Sequence, residues 1–202
     1  MSTIILVSTE NHRPVWNGAA LIQRVPRGLK NPLCLKMAAR FRRAREENQV
    51  TRFRLSAIAG LSNNHAAKIE DGQYMPTIQT LESFAAALGV SPGWLAYGPE
   101  GSEPFRERAP RPFTTPAEQR PADRFRSYKS RHAGFPERLR ASRESCGVSM
   151  RSLASAAGIS VQSWSNAESG KTVPRIDTAE RMAVALGVAP SWLSYGYDED
   201  AN

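Results

Sequence analysis

One sentence of residues is written twice in this chain. Positions 85–98 read AAALGVSPGWLAYG, and positions 183–196 read AVALGVAPSWLSYG, 98 residues further on. The match extends upstream without a gap. When Arg40–Gly98 is laid over Arg138–Gly196, about 25 of 59 positions are identical. A repeat of this length dictates two copies of one folding unit. Gly60 pairs with Gly158, Glu70 with Glu168, Gly72 with Gly170, Pro76 with Pro174 and Trp94 with Trp192. Each copy is long enough for a small core of its own.

The apolar spacing inside each copy is helical. Ile78, Leu81, Phe84, Ala85 and Leu88 recur at intervals of three and four, as do Ile176, Ala179, Met182, Ala183 and Leu186. Gly89 and Gly187 are placed as C-terminal stops. Pro92 and Pro190 then suit the first turn of a short last helix. Upstream, MAARFRRAREEN and PERLRASRES read as first helices. No alternating β pattern interrupts either copy, so the expected fold is all-α, with about five helices per copy.

The middle of each copy carries the motif. TRFRLSAIAGLSNNHAAKIEDG and SMRSLASAAGISVQSWSNAESG each read as two short helices around a glycine turn. Thr51 and Ser149 are N-caps for the first helix, and Ser62 and Ser160 for the second. Gly60 and Gly158 supply the tight turn. Leu55, Leu61, Ala66 and Ile69 should pack one pair, and Leu153, Ile159, Trp164 and Ala167 the other. The bulk has moved from one position to another between the copies, as happens when one backbone is repacked twice.

These residues resemble the phage repressor/Cro-type helix-turn-helix domain, the XRE family, present as two tandem copies. The resemblance rests on Leu55-Ser56 and Leu153-Ala154, the Gly-Leu-Ser and Gly-Ile-Ser turns, Glu70–Gly72 and Glu168–Gly170, the prolines that follow, and the ALGV-x-x-x-W-L endings. It covers about 60 residues in each copy. It implies two five-helix lambda-repressor-like domains and a cytoplasmic, sequence-specific DNA-binding transcriptional regulator of bacterial or phage origin, acting as a repressor on double-stranded DNA. The alternative is a protein-interaction module, an antitoxin or anti-activator, in which one or both copies no longer read DNA. Met150 and Asp71, which depart from the family pattern, motivate it.

The resemblance also implies site residues. Asn63, Asn64, His65 and Lys68 fall on base-reading positions of the first copy, and Gln162, Ser163 and Asn166 on those of the second, with Val161 beside a thymine methyl. The chemistry suits the place: Asn and Gln can hold adenine through paired hydrogen bonds, and Lys can reach guanine or phosphate. Arg52 and Arg151 are expected at phosphates, and Arg175 at the backbone or minor groove. Arg45 with Glu70, and Arg143 with Glu168, are expected as structural ion pairs. Trp94, Tyr97, Trp192 and Tyr195 are expected to pair the copies, either within one chain or between two chains.

The rest of the chain bounds this reading. The formal net charge is +8 and the pI about 10, a balance that favours a polyanionic partner. Residues 1–36 contribute +4, residues 99–134 contribute +3 and each repeat +2, against −3 for YDEDAN. The positive excess thus lies mainly in the arm and the linker. The expected organisation is a basic arm at 1–34, domains at 35–98 and 135–197, a Pro/Arg-rich linker at 99–134 and an acidic tail at 198–202. A flexible linker of about 36 residues spans roughly 33 Å, close to the ~34–36 Å between half-sites one DNA turn apart. TIILV and VWNGAALI are read as a weak strand pair, and Phe125–Arg131 as a short helix. No apolar run is long enough for a membrane span. The two cysteines, Cys34 and Cys146, suggest no disulfide framework, and three scattered histidines no metal site. No cofactor is expected. No nucleophile–base pair or phosphate-cradling loop points to an enzyme.

Overall fold

The computed structural model describes residues 32–98 and 130–196. The expected N-terminal arm, most of the linker, the strand pair, most of the Phe125–Arg131 helix and the acidic tail lie outside the described residues.

Each repeat forms five α-helices, and no strand is found among the described residues. In the first unit these are α1 (Pro32–Glu47), α2 (Arg52–Ile58), α3 (His65–Glu70), α4 (Ile78–Leu88) and α5 (Pro92–Tyr97). A 3-10 turn at His132–Gly134 leads into the second unit: α6 (Phe135–Cys146), α7 (Met150–Ala156), α8 (Val161–Glu168), α9 (Ile176–Leu186) and α10 (Pro190–Tyr195). The all-α, tandem helix-turn-helix architecture is therefore as expected.

The local signals act where the sequence places them. Thr51 Oγ1 accepts from the Arg54 N–H at 3.2 Å, and Ser149 Oγ from the Ser152 N–H at 3.2 Å. Gly89 and Gly187 end α4 and α9 at φ 69° and 68°, left-handed positions where a side chain would be strained. One cap differs. Ser160 caps α8 through the Ser163 N–H at 3.0 Å, but Ser62 does not cap α3. Its hydroxyl lies 2.6 Å from His65 Nδ1 instead. The first copy also puts two asparagines where helix would begin, and these favour turn geometry. As a result α3 starts at His65, later than its counterpart.

The core runs through both units. Phe41 and Phe84 meet edge to face at 4.9 Å in the first. In the second, Trp164, Met182, Phe135 and Leu139 fill the centre. Of the helix-turn-helix packing set, Leu55, Ala66, Ile69, Leu153, Trp164 and Ala167 are buried, while Leu61 and Ile159 are half-buried at the turn.

The units face each other across a pseudo-twofold axis, and their backbone and tyrosine–carbonyl contacts recur 98 residues apart. The Ile78 N–H donates to the Pro174 carbonyl at 3.0 Å, and the Ile176 N–H to the Pro76 carbonyl at 3.1 Å. Thr77 and Arg175 form the antiparallel bridge at the axis. Tyr97 Oη reaches the Ile176 carbonyl at 3.5 Å, and Tyr195 Oη the Ile78 carbonyl at 3.2 Å. Helices α5 and α10 pack directly on one another. This is the self-complementary pattern of a twofold interface, made within one chain.

Candidate nucleic-acid interface

The exposed polar edge of each unit is built on its turn and second motif helix. In the first unit Asn63 and Asn64 are exposed in the turn ahead of α3, and Lys68 is exposed on the helix. His65 is half-buried, its ring edge-on to Tyr74 at 5.6 Å. With Nδ1 held by Ser62, only its far nitrogen remains for a ligand.

In the second unit Val161, Gln162 and Ser163 are exposed at the start of α8, with Asn166 half-buried one turn on. Gln162 Nε2 donates to Asn166 Oδ1 at 2.8 Å. That bond orients both amides on one face. Ser163 Oγ lies 2.8 Å from the capping Ser160 Oγ, so its hydroxyl is also part of the cap. Trp164 turns inward and donates its indole N–H to Glu168 at 3.0 Å.

The expected ion pairs form in both units and fix the motif helix to the first helix. Arg45 meets Glu70 with two hydrogen bonds, 2.5 and 3.2 Å, and Arg143 meets Glu168 at 2.6 and 3.0 Å. Both are fork-like pairings. Burial works against the Glu168 carboxylate, yet the bonds from Arg143 and Trp164 outweigh it and hold its pKa below the usual carboxylate range.

Arg52 behaves otherwise than its expected phosphate role alone requires. Its Nε donates to Glu70 at 2.7 Å, and its guanidinium lies 3.6 Å from Asp71. The buried Glu70 carboxylate thus gathers Arg42, Arg45 and Arg52, while the Arg52 side chain stays partly exposed. Its counterpart in the second unit is Met150, and no such competition exists there. Arg151 is exposed on α7. Arg175 is exposed beside the pseudo-twofold axis, where the other unit has Thr77.

The pairing residues divide in two. Tyr97 and Tyr195 are buried and cross the axis, whereas Trp94 and Trp192 are half-buried against the core on the same two helices. Tyr97 Oη also lies 2.7 Å from Ser194 Oγ.

Three further contacts carried no motif. Arg40 donates to the Leu95 and Ala96 carbonyls at 3.2 and 2.6 Å, and Arg138 to the Leu193 and Ser194 carbonyls at 2.9 Å each. Each ties the last helix of its unit to the first. Burial pushes the Arg138 pKa down to about 10. Glu82, on α4 of the first unit, receives the Arg131 N–H at 2.6 Å, the His132 N–H at 3.2 Å and the His132 ring. The start of the second unit is thereby clipped to the first. The identity of Arg40 with Arg138 was the signal available in the sequence for the arginine ties.

Among the described residues no group of three His, Cys, Asp or Glu side chains could hold a metal ion, and no helix is long and apolar enough to cross a membrane.

Both units match models described as helix-turn-helix domains, one over residues 38–101 and another over 135–192. An immunity repressor protein of Bacillus phage phi105 is 36% identical over 56 residues, which is 28% of this chain and 39% of that protein. The chain therefore spans about two fifths of the length of that relative. A crystal structure of the P22 c2 repressor in complex with a synthetic operator matches at 27% identity, covering 31% of this chain and 96% of the other, with a TM-score of 0.30. The solution structure of the DNA-binding domain of the same repressor matches at 26% identity, covering 34% and 86%, with a TM-score of 0.30.

Proposed function

Because this chain carries two helix-turn-helix domains of the phage repressor type in tandem, we propose that it is a DNA-binding transcriptional regulator that reads two half-sites with one polypeptide, and that it represses by occluding a promoter. The single observation that carries this reading is the pseudo-twofold pairing of the units. A twofold-related pair of motif helices is what two neighbouring major grooves on one face of a duplex require. Here the reciprocal backbone bonds between Ile78 and Pro174, and between Ile176 and Pro76, hold the pair without a second chain.

Roles follow from the exposed edges. Asn63, Asn64 and Lys68 read one half-site, with His65 contributing its free ring nitrogen. Gln162, Ser163 and Asn166 read the other, with Val161 against a thymine methyl. Arg151 contacts phosphate on the second half. Arg175 enters near the centre of the site, from one side only, since Thr77 stands opposite. The preferred operator is then an imperfect palindrome. The basic arm of residues 1–34 and the linker of residues 99–134 add sequence-independent attraction to phosphate. The domains occupy residues 35–98 and 135–197.

Selection of bound DNA from a random pool tests this. Wild type should recover two unequal half-sites in fixed spacing. Asn64→Ala should lose preference at one half and Gln162→Ala at the other, by about 1–3 kcal/mol per contacted base. Enrichment of a single half-site, unchanged by one of the two substitutions, would assign reading to one unit. Salt-insensitive capture of a protein, with no DNA enriched, would favour the interaction-module reading instead.

A further inference from the structure

Helices α5 and α10 meet at Gly93 and Ser191, which hold the same place in the two copies. A Cβ built on Gly93 would lie 2.9 Å from the Ser191 Cβ and 3.8 Å from its Cα. Carbon atoms out of bonding contact settle near 3.5–4.0 Å, so roughly half an ångström or more is missing. The atom in the way is a Cβ, fixed by the backbone, and it cannot rotate aside as the tip of a long side chain can. Gly93 lies within a helix and is not among the glycines with positive φ. The contact across the axis, and not the backbone, demands glycine there.

The same geometry can be applied to like pairs. A second unit against another second unit would set serine against serine, where one side must be glycine. A first unit against another first unit would set glycine against glycine and avoid the clash. It would also set Tyr97 Oη against Ala96 in place of Ser194, and so lose the 2.7 Å hydroxyl contact. Only the unlike pair meets both conditions.

We propose that the α5–α10 face is selective for unlike units: it accepts the first unit against the second and rejects the second against itself. The partner this surface fits is the other half of this chain. The duplication has diverged at the axis so that the two motif helices always come as a mixed pair. This goes beyond the reading of DNA and does not depend on it.

The test uses the intact chain without DNA. Gly93→Ser places serine on both sides of the axis. Serine is a better helix former than glycine, so the intrinsic preference of α5 works against any loss. The single variant should nonetheless unfold at a lower urea midpoint than wild type, followed by tryptophan fluorescence. Adding Ser191→Gly moves the glycine to the other side of the axis and should return the midpoint toward wild type. A single variant as stable as wild type would overturn the proposal. So would a double variant no more stable than the single. If Gly93→Ser does not fold, the double variant decides alone: recovery supports selectivity, and continued failure refutes it.

Discussion

Glu82 and Glu180 occupy equivalent places on α4 and α9, yet their carboxyls are displaced in opposite directions. Burial opposes the Glu82 charge, but the His132 ring and the Arg131 and His132 N–H groups outweigh it, and its pKa falls below the ordinary 4.5. For Glu180, burial and the Asp177 charge raise the pKa, and Arg181, Lys36 and Arg40 only partly oppose this. A group with a depressed folded pKa contributes stability that is present above its unfolded pKa and lost as pH falls through the folded value. A raised carboxyl does the reverse, and costs stability once pH exceeds its unfolded pKa. Glu82→Gln should therefore lower stability at neutral pH and reduce the acid-induced loss below about pH 4.5, while Glu180→Gln should raise stability at neutral pH. Urea midpoints between about pH 3 and 8 read both. Equal effects of the two substitutions would contradict the assignment.

The tyrosines across the axis should each matter through their hydroxyls. Tyr97→Phe leaves the Ser194 hydroxyl and the Ile176 carbonyl without their partner in a buried place, and Tyr195→Phe does the same to the Ile78 carbonyl. Tyr97→Phe should lower unfolding free energy by about 1–3 kcal/mol, the cost of stranding the Ser194 hydroxyl, and Tyr195→Phe by about 0.5–1.5 kcal/mol, since the Ile78 carbonyl keeps its place in the α4 hydrogen-bond ladder. Equilibrium denaturation measures it, and a change near zero for both would mean that water replaces these bonds.

The helix-turn-helix cores offer a rescue experiment. Ala66 and Ile69 in the first unit stand where Trp164 and Ala167 stand in the second, and all four are buried. Trp164→Ala should cost about 3–5 kcal/mol through the cavity it leaves. Adding Ala167→Ile, which reproduces the first unit's arrangement, should recover part of that loss. No recovery would show that the two cores are not interchangeable packings of one backbone.

Arginines at the two motifs should separate by role. Arg52 is paired with Glu70 and close to Asp71, whereas Arg151 is exposed. Arg52→Ala should reduce stability and leave the salt dependence of DNA affinity nearly unchanged. Arg151→Ala should lower the slope of log K against log salt by about 1. The opposite pattern would return Arg52 to the phosphates.

Much of this architecture is local, and local features are legible in a sequence. Caps at Thr51 and Ser149, stops at Gly89 and Gly187 and the apolar faces of α4 and α9 depend on residues within a turn or two of one another. The Arg45–Glu70 and Arg143–Glu168 pairs were accessible through the resemblance. What escaped depends on contacts far apart in the chain. Glu82 stands between Leu81 and Phe84 and reads as an ordinary surface charge, because nothing near it announces that residues 131–132 will supply its hydrogen bonds. Ser62 resembled a cap because Ser160 is one, but His65 competes for its hydroxyl. Arg52 matches a phosphate position, and its pairing with Glu70 and Asp71 is the part that the position did not announce. Gly93 carries no local signal, because the atom that demands glycine there belongs to Ser191, 98 residues away.

The central claim is that one chain presents two reading helices to one duplex. A footprint of the purified protein on its selected operator, with binding stoichiometry measured in parallel, tests this most directly. The account predicts one chain per operator and two protected major-groove segments on one face, about one helical turn apart. Gln162→Ala should weaken only the protection over the second unit's half. Protection of a single segment by one chain, or two chains required for the pair of segments, would contradict it.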